Sequence, residues 1–375
     1  MKKLVVIGAS YLQRPLVEKA KEMGFYTICF AWAEGAVCKD LVDEFYPISI
    51  VDKDEILKVC QEKQIDGICT IASDVAAPTV AYVAEKIGLV GNSHQASVTA
   101  NNKYAMRQAF INAGVPCPKF LCVENCTDAT IDKIKQSMRL PLIVKPTDRS
   151  GSLGVIKVEN IEELKDAMDN ALAYSFKKQA MVEEFVGGRE ISVEFISYKG
   201  KHYPLQITDK VTTGAPHFVE LEHHQPSTLS AEMYTRIYDI TENALNALGI
   251  TNGASHSEYK ITDDGDIYVI EIGGRMGGDF IGSDLVRLST GYDFVKAVIE
   301  VALGDFTEPQ ITETNHSGVY FLCKETEYLL PYFANANNIE GVVMYEQTDI
   351  ELRNITCSAD RSGYLIYQGE KKIEL

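Results

Sequence analysis

Residues 257–284 read SEYKITDDGDIYVIEIGGRMGGDFIGSD. Two short strand-like runs flank a turn at Asp263–Asp266, with Glu258 in the first run and Glu271 thirteen residues on in the second. In an antiparallel hairpin these two come side by side, because alternate side chains share a face. Glu258 has His256 and Lys260 on its face, whereas Glu271 stands in the apolar run Ile267–Ile272. A lone carboxylate is costly to bury there. Two carboxylates at one place call for a shared proton or a cation. Magnesium fits best, because it takes one or two carboxylates and completes its octahedron with phosphate oxygens and water. Arg275 follows among glycines at 273, 274, 277 and 278. Its planar fork suits a phosphate or a carboxylate. A surface hairpin with solvated acids is the plain alternative, and the upstream sequence decides between them.

The 375 residues suffice for two or three domains and a sizeable core. A net charge of −17 argues against a nucleic-acid partner, which needs a basic stripe. No run approaches the ~18 apolar residues of a membrane span. Met-Lys-Lys leads straight into a strand, without a signal peptide's apolar region, so the expected location is the cytoplasm. The nine cysteines are scattered, several in apolar runs, as suits free thiols in a reducing compartment. Cys117, Cys122 and Cys126 match no usual zinc or iron–sulfur spacing.

From the start of the chain to about Gly91 strands alternate with helices, which predicts a parallel sheet with helical crossovers. The first loop, Gly8–Gln13, is not a dinucleotide fingerprint: Ser10 and Gln13 stand where glycines are required. It is expected to touch a small substrate, with Ser73-Asp74 as a second loop at the carboxyl end of the sheet. Asn101-Asn102-Lys103 opens a predicted helix, asparagine being a good cap, that carries Lys103 and Arg107 on one face and is stopped by Gly114-Val115-Pro116. Two like charges so placed point to an anion nearby. Leu140–Lys145 reads as a buried strand ending in a lysine, and Ser150, Gly151, Ser152 and Gly154 form a loop rich in backbone N–H donors. Met181–Ile196 reads as strand, glycine turn, strand, with Glu183 and Glu190 bracketing the turn and Val186 inside it. Ser289–Leu303 is a predicted amphipathic helix, and residues 311–375 read as short strands with no chemical motif.

In this order the parts resemble the ATP-grasp superfamily: Lys103, a GVPxP stretch, the V-K-P strand end at 144–146, the Ser/Gly loop, an E-E-x-x-x-G-x-E hinge, and two carboxylates followed by an arginine. The resemblance implies an α/β (α+β) ATP-grasp fold: a Rossmann-like domain over 1–95, an ATP-grasp domain over 96–306 with a lid at about 120–198, and a small β-rich domain over 307–375. It implies ATP and Mg2+, with Mn2+ as a substitute. Lys103 and Lys145 would contact the α- and β-phosphates, and Ser150–Gly154 the γ-phosphate. Glu183 would accept the adenine amino group beside the Val186 backbone, and Glu190 would bind ribose. Glu258 and Glu271 would hold the metal, and Arg275 would stabilise the transferring phosphoryl group. Gly273 departs from the pattern, where many members have an asparagine as a further metal ligand.

The segment 215–227, APHFVELEHHQPS, followed by EIGGRMGGDFI, is similar to L-amino-acid ligases of the bacilysin-synthetase type. That likeness implies that Glu220 and His223 contact the reacting intermediate, with His224 as the competing histidine and Asp279 near the acceptor. The expected function is an ATP-dependent carboxylate–amine ligase acting on amino acids. The alternatives are a purine-pathway ribonucleotide ligase, a carbamoyl-phosphate-synthetase-like reaction, or a non-catalytic nucleotide-binding protein. The implied partners are ATP and small carboxylates and amines, with neither nucleic acid nor membrane. Similar folds are often homodimers, although no interface is legible in the sequence.

Overall fold

The computed structural model describes residues 1–375 except 152 and 350, so Ser152 of the Ser/Gly loop lies outside the described residues. Strands Lys3–Ile7 (β1), Tyr26–Phe30 (β2), Glu44–Tyr46 (β3) and Gly67–Cys69 (β4) form a parallel sheet in the order β3-β2-β1-β4. The apolar runs that form β1 and β2 are buried on both faces, as parallel strands between helices require. The first loop shows why a dinucleotide reading fails. Gln13 Oε1 accepts from the Ser10 backbone and hydroxyl, and Gln13 Nε2 donates to the Ile71 carbonyl. The Gln13 side chain thereby plugs the space over Gly8 that a pyrophosphate would need.

A second sheet is built from Phe120–Val123 (β5), Leu142–Pro146 (β6), Ile156–Val158 (β7) and Ala180–Glu184 (β8), in the order β5-β8-β6-β7. With helices 128–137 and 164–174 it closes its own small core around Val144, Leu164, Met168 and Val182. The third sheet has eight strands. It contains Arg189–Tyr198 (β9), Lys201–Thr212 (β10), Glu220–Gln225 (β11), Gly253–Ile261 (β12), Ile267–Gly273 (β13), His316–Leu322 (β14), Val342–Gln347 (β15) and Gly363–Gly369 (β16). The order is β13-β12-β9-β10-β11-β14-β16-β15.

Two expectations change here. The strands of 307–375 do not make a separate sheet: β14 pairs with β11, and β16 and β15 follow it. The helix expected over 289–303 is broken by Gly291 at φ +73°, and a new helix, Phe294–Leu303, starts from an Asp293 cap. That helix is buried between the parallel sheet and the large one, where its apolar face joins the Leu4, Val6, Ile196 and Ala254 core. On β9, Ile191, Val193 and Phe195 face the helix Ala231–Leu248, so the intervening Glu190, Ser192 and Glu194 must point the other way. Period-two alternation thus sets one polar face of the large sheet toward the lid and the parallel sheet.

Candidate active site

That polar face floors a cavity of about 410 Å³ bounded by the lid sheet and the parallel sheet's loops. Lys103, Lys145, Ser150, Gly151, Glu183, Val186, Glu190, Glu220, His223, Glu258, Glu271 and Arg275 all line it. The hairpin of β12 and β13 sets Glu258 directly opposite Glu271, and β9 sets Glu194 opposite His256 and Glu190 opposite Lys260.

The carboxylates are held by cations. Lys210, on β10, is buried and reaches Glu258 at 2.9 Å, Glu190 at 3.0 Å and Glu220 at 3.4 Å. Burial alone would lower the Lys210 pKa, but the three acids outweigh it and raise the pKa well above the usual lysine value. Burial likewise pushes Glu258 up, and Lys210 and His256 override it, holding Glu258 well below the usual carboxylate range. His256 pairs with Glu194 and is raised to about 9: burial disfavours its charge, and Glu194 prevails. Lys103 bonds Glu271 at 2.8 Å.

The lid contributes Lys145 and Glu183, which pair at 2.5 Å. Glu183 also accepts from Arg107 Nε at 2.6 Å. The anion expected near Lys103 and Arg107 is therefore a pair of protein carboxylates, Glu271 and Glu183. Glu183 was expected to receive an adenine amino group, yet its carboxylate is already engaged by two cations. Between β8 and β9 the chain passes from the lid sheet to the large sheet, so residues 185–188 are not the turn of a hairpin. Gly188, at φ +105°, lies so close to the Ile261 carbonyl that a Cβ would fall 2.1 Å from its oxygen. Only glycine fits that crossing.

At the far end of the cavity β11 carries Glu220 and His223. Three residues apart, they would face opposite sides of a regular strand. The pairing of β10 with β11 runs Lys210–His223, Val211–Glu222, Thr212–Glu220, so Leu221 is an extra residue. This bulge turns Glu220 to the same side as His223. His224 points away, bonded to Tyr367 at 3.0 Å and Glu222 at 2.8 Å beneath the sheet. His223 is buried, and neither ring nitrogen has a hydrogen-bond partner; Asp279 is 3.8 Å away. Burial lowers its pKa despite Asp279, so it is neutral near pH 7. Asp279 and Phe280 both hold left-handed φ, +50° and +65°, which turns Asp279 into the cavity. Asp279 pairs with Arg361 at 2.8 Å, and Arg361 also reaches Glu220 at 3.2 Å and lies 3.8 Å over the Phe321 ring.

Lys210 and Arg361 escaped sequence reading. A lysine far along the strand at 201–212, past its apolar stretch, was a faint signal for the first. Arg361 stands in a loop whose sequence carries none.

A family model described as the ATP-grasp domain matches residues 138–284. Residues 138–284 are an ATP-grasp domain. The matched stretch takes in most of the lid and both candidate metal glutamates. The solved L-amino acid ligase of Bacillus licheniformis superposes with a TM-score of 0.80 at 22% identity, over 99% of this chain and 94% of that one. Phosphoribosylglycinamide synthetase from Anaerococcus prevotii superposes with a TM-score of 0.76 at 22% identity, over 99% and 94%. In sequence, the alanine–anticapsin ligase of Bacillus subtilis (strain 168) is 29% identical over 250 residues, 60% of this chain and 51% of the relative. The chain thus spans about half the length of that relative. Among the described residues, no helix is long and apolar enough to cross a membrane.

No cluster of three or more His, Cys, Asp or Glu side chains arranged for a metal exists among the described residues. The opposed Glu258 and Glu271 nevertheless fit an ion that draws its other ligands from a nucleotide. Magnesium binds this way, through one or two carboxylates plus phosphate oxygens.

Proposed function

We propose that the chain is an ATP-dependent carboxylate–amine ligase that joins amino acids through an acyl-phosphate, with ADP and phosphate as products. One observation carries this reading. Two phosphate-suited lysines, an opposed carboxylate pair, an arginine and the Glu220–His223–Asp279 group all line one cavity.

The chemistry asked of the protein is positioning and charge neutralisation. A substrate carboxylate attacks the γ-phosphate of ATP in line. Lys103, Lys145 and the backbone donors around Gly151 offset the charge that spreads over the phosphoryl oxygens. Glu258 and Glu271 would hold magnesium, or manganese in its place, which supplies further neutralisation at the phosphates. Arg275 faces the transferring group and steadies the acyl-phosphate. An amine then attacks the acyl carbon, and phosphate leaves. Neutral His223, with both ring nitrogens unbonded, is suited to take the amine's proton. Glu190, on the floor near the hinge, is placed for the ribose. The lid keeps water from the acyl-phosphate. The nine free thiols suit a cytoplasmic enzyme.

The ATP-grasp fold also serves ribonucleotide ligases, whose substrates carry a phosphate. Here the parallel sheet's loops contribute Tyr11, Leu12, Ala72 and Asp74 to the cavity, an acid and no cation. That favours an amino acid over a sugar phosphate.

The test is phosphate release from Mg-ATP with the twenty amino acids offered singly and in pairs. Release that requires a particular pair, with a new dipeptide mass, is the expected result. Silence across all pairs, with ATP still bound by calorimetry, would remove the amino-acid reading.

A further inference from the structure

The arginine expected at the transferring phosphoryl group is gripped by a residue outside the ATP-grasp sheets. Asp74 lies in the loop after β4, at the carboxyl end of the parallel sheet. Its carboxylate takes the Arg275 Nε and Nη2 donors at 2.8 Å each, a two-point fork. Arg275 Nη1 donates to the Met276 carbonyl at 3.2 Å, so three donors are tied and the rest are free for the cavity. Both side chains are largely shielded, 18% and 16% exposed. Burial tends to raise the Asp74 pKa, and Arg275 overrides it and holds the pKa below the ordinary value.

The loop itself is fixed. Ala72 N donates to the Met276 carbonyl at 3.1 Å, and Asn101 Nδ2 donates to the Asp74 carbonyl at 2.5 Å. Asn101 sits two residues before Lys103. The loop therefore ties together the arginine loop and the start of the lysine-bearing helix.

Gly273 completes the arrangement. A Cβ at that position would meet Asp74 Oδ1 at 2.8 Å, Arg275 Cζ at 3.1 Å and Arg275 Nε at 3.2 Å. A side chain at 273 would wedge directly into the ion pair. We propose that Asp74 is a positioning residue that sets the orientation of Arg275 for phosphoryl transfer, and that residue 273 is glycine because Asp74 needs its space. The role of Arg275 rests on the ligase reading, whereas the grip and its steric condition do not. In this chain the parallel sheet does more than wall the substrate site. It holds the arginine that acts there.

Two measurements test this. The first is steady-state turnover of Asp74→Ala and Asp74→Asn with the substrate pair that the wild type uses. Asp74→Ala is expected to lose roughly ten- to a hundredfold in kcat, the cost of a misplaced group, while KM for ATP moves by less than about threefold. Added formate should restore kcat of Asp74→Ala saturably by refilling the carboxylate site. A merely structural role would lower the melting temperature yet leave kcat within about twofold and unresponsive to formate, and that result overturns the positioning role. The second is a thermal-unfolding cycle of Gly273→Asn, Asp74→Gly and the double variant. Gly273→Asn alone should lower the melting temperature, and it should lower it far less in the Asp74→Gly background. Additive losses would overturn the steric claim. Should the wild type turn over no pair, the ligase reading falls, and the unfolding cycle still decides the grip.

Discussion

Arg107 and Glu183 form an ion pair at 2.6 Å with the arginine wholly buried and the glutamate 3% exposed. It joins a helix of the ATP-grasp body to the edge of the lid. Lys145 closes on the same carboxylate, and Arg107 Nη2 also donates to the Ile270 carbonyl, next to Glu271. Burial pushes Glu183 up, but Arg107 and Lys145 together hold it below the usual glutamate value. Removing one partner strands a buried charge. Glu183→Ala is expected to cost about 3–5 kcal/mol in urea unfolding, whereas replacing Arg107, Lys145 and Glu183 together by apolar residues of similar volume should cost far less. Equal losses in both would contradict this.

Lys210 neutralises acids expected to serve ribose, substrate and metal. Lys210→Met leaves Glu190, Glu220 and Glu258 without their shared cation. Calorimetry should then show tighter binding of magnesium alone and weaker binding of Mg-ATP, each by roughly tenfold, about one charge interaction. Movement of both affinities in the same direction would argue against this balance.

His223 sets a pH dependence. Burial lowers its pKa in the folded protein, against an unfolded value near ~6.5. Above that value both states are neutral and the group costs nothing. As pH falls through it, the unfolded chain gains a proton that the folded chain refuses, so stability drops on the acid side. Denaturant titrations of wild type and His223→Asn from about pH 5 to pH 8 should converge at the alkaline end and diverge at the acid end. Parallel curves would show that His223 titrates normally.

Arg361 acts through the acids it restrains. Its guanidinium stacks on Phe321 and bonds Glu220 and Asp279. Burial tends to raise the Asp279 pKa, yet Arg361 holds it far below its normal range. Arg361→Ala should raise KM for the amine by roughly tenfold with a smaller change in kcat, since it disturbs binding more than the phosphoryl step. A fall in kcat alone would place Arg361 nearer the chemistry.

How much of this was legible in the sequence depended on whether a signal was local. The opposition of Glu258 and Glu271 followed from alternation around a short turn. Lys145 was found because a charge ending an apolar strand is conspicuous. The shared face of Glu220 and His223 was not deducible, since it depends on the bulge at Leu221. Lys210, Asp74 and Arg361 reach their acids and arginine across strands and loops far apart in the chain, and no spacing rule connects them. Gly273 was visible as a departure, but its cause, the Asp74 carboxylate, lay some two hundred residues away. The C-terminal strands carried no motif, and only their pairing to β11 brought Arg361 to the cavity.

The lid is one unbroken stretch that ends near Glu184 and not at the expected 198, because residues 189–198 pair in the large sheet, so the chain enters it once, near Lys119, and leaves it once. These two points are hydrogen-bonded to each other, Glu184 N to the Lys119 carbonyl at 2.9 Å. The two chain connections of the lid therefore lie side by side, like hinges on one post, and the buried Arg107–Glu183 pair is set into that post. Lys103 adds a second hold at the other side of the lid, its backbone N–H and its Nζ donating to the Thr147 carbonyl at 2.8 Å and the Arg149 carbonyl at 2.5 Å, so any swing about the post must first part these bonds.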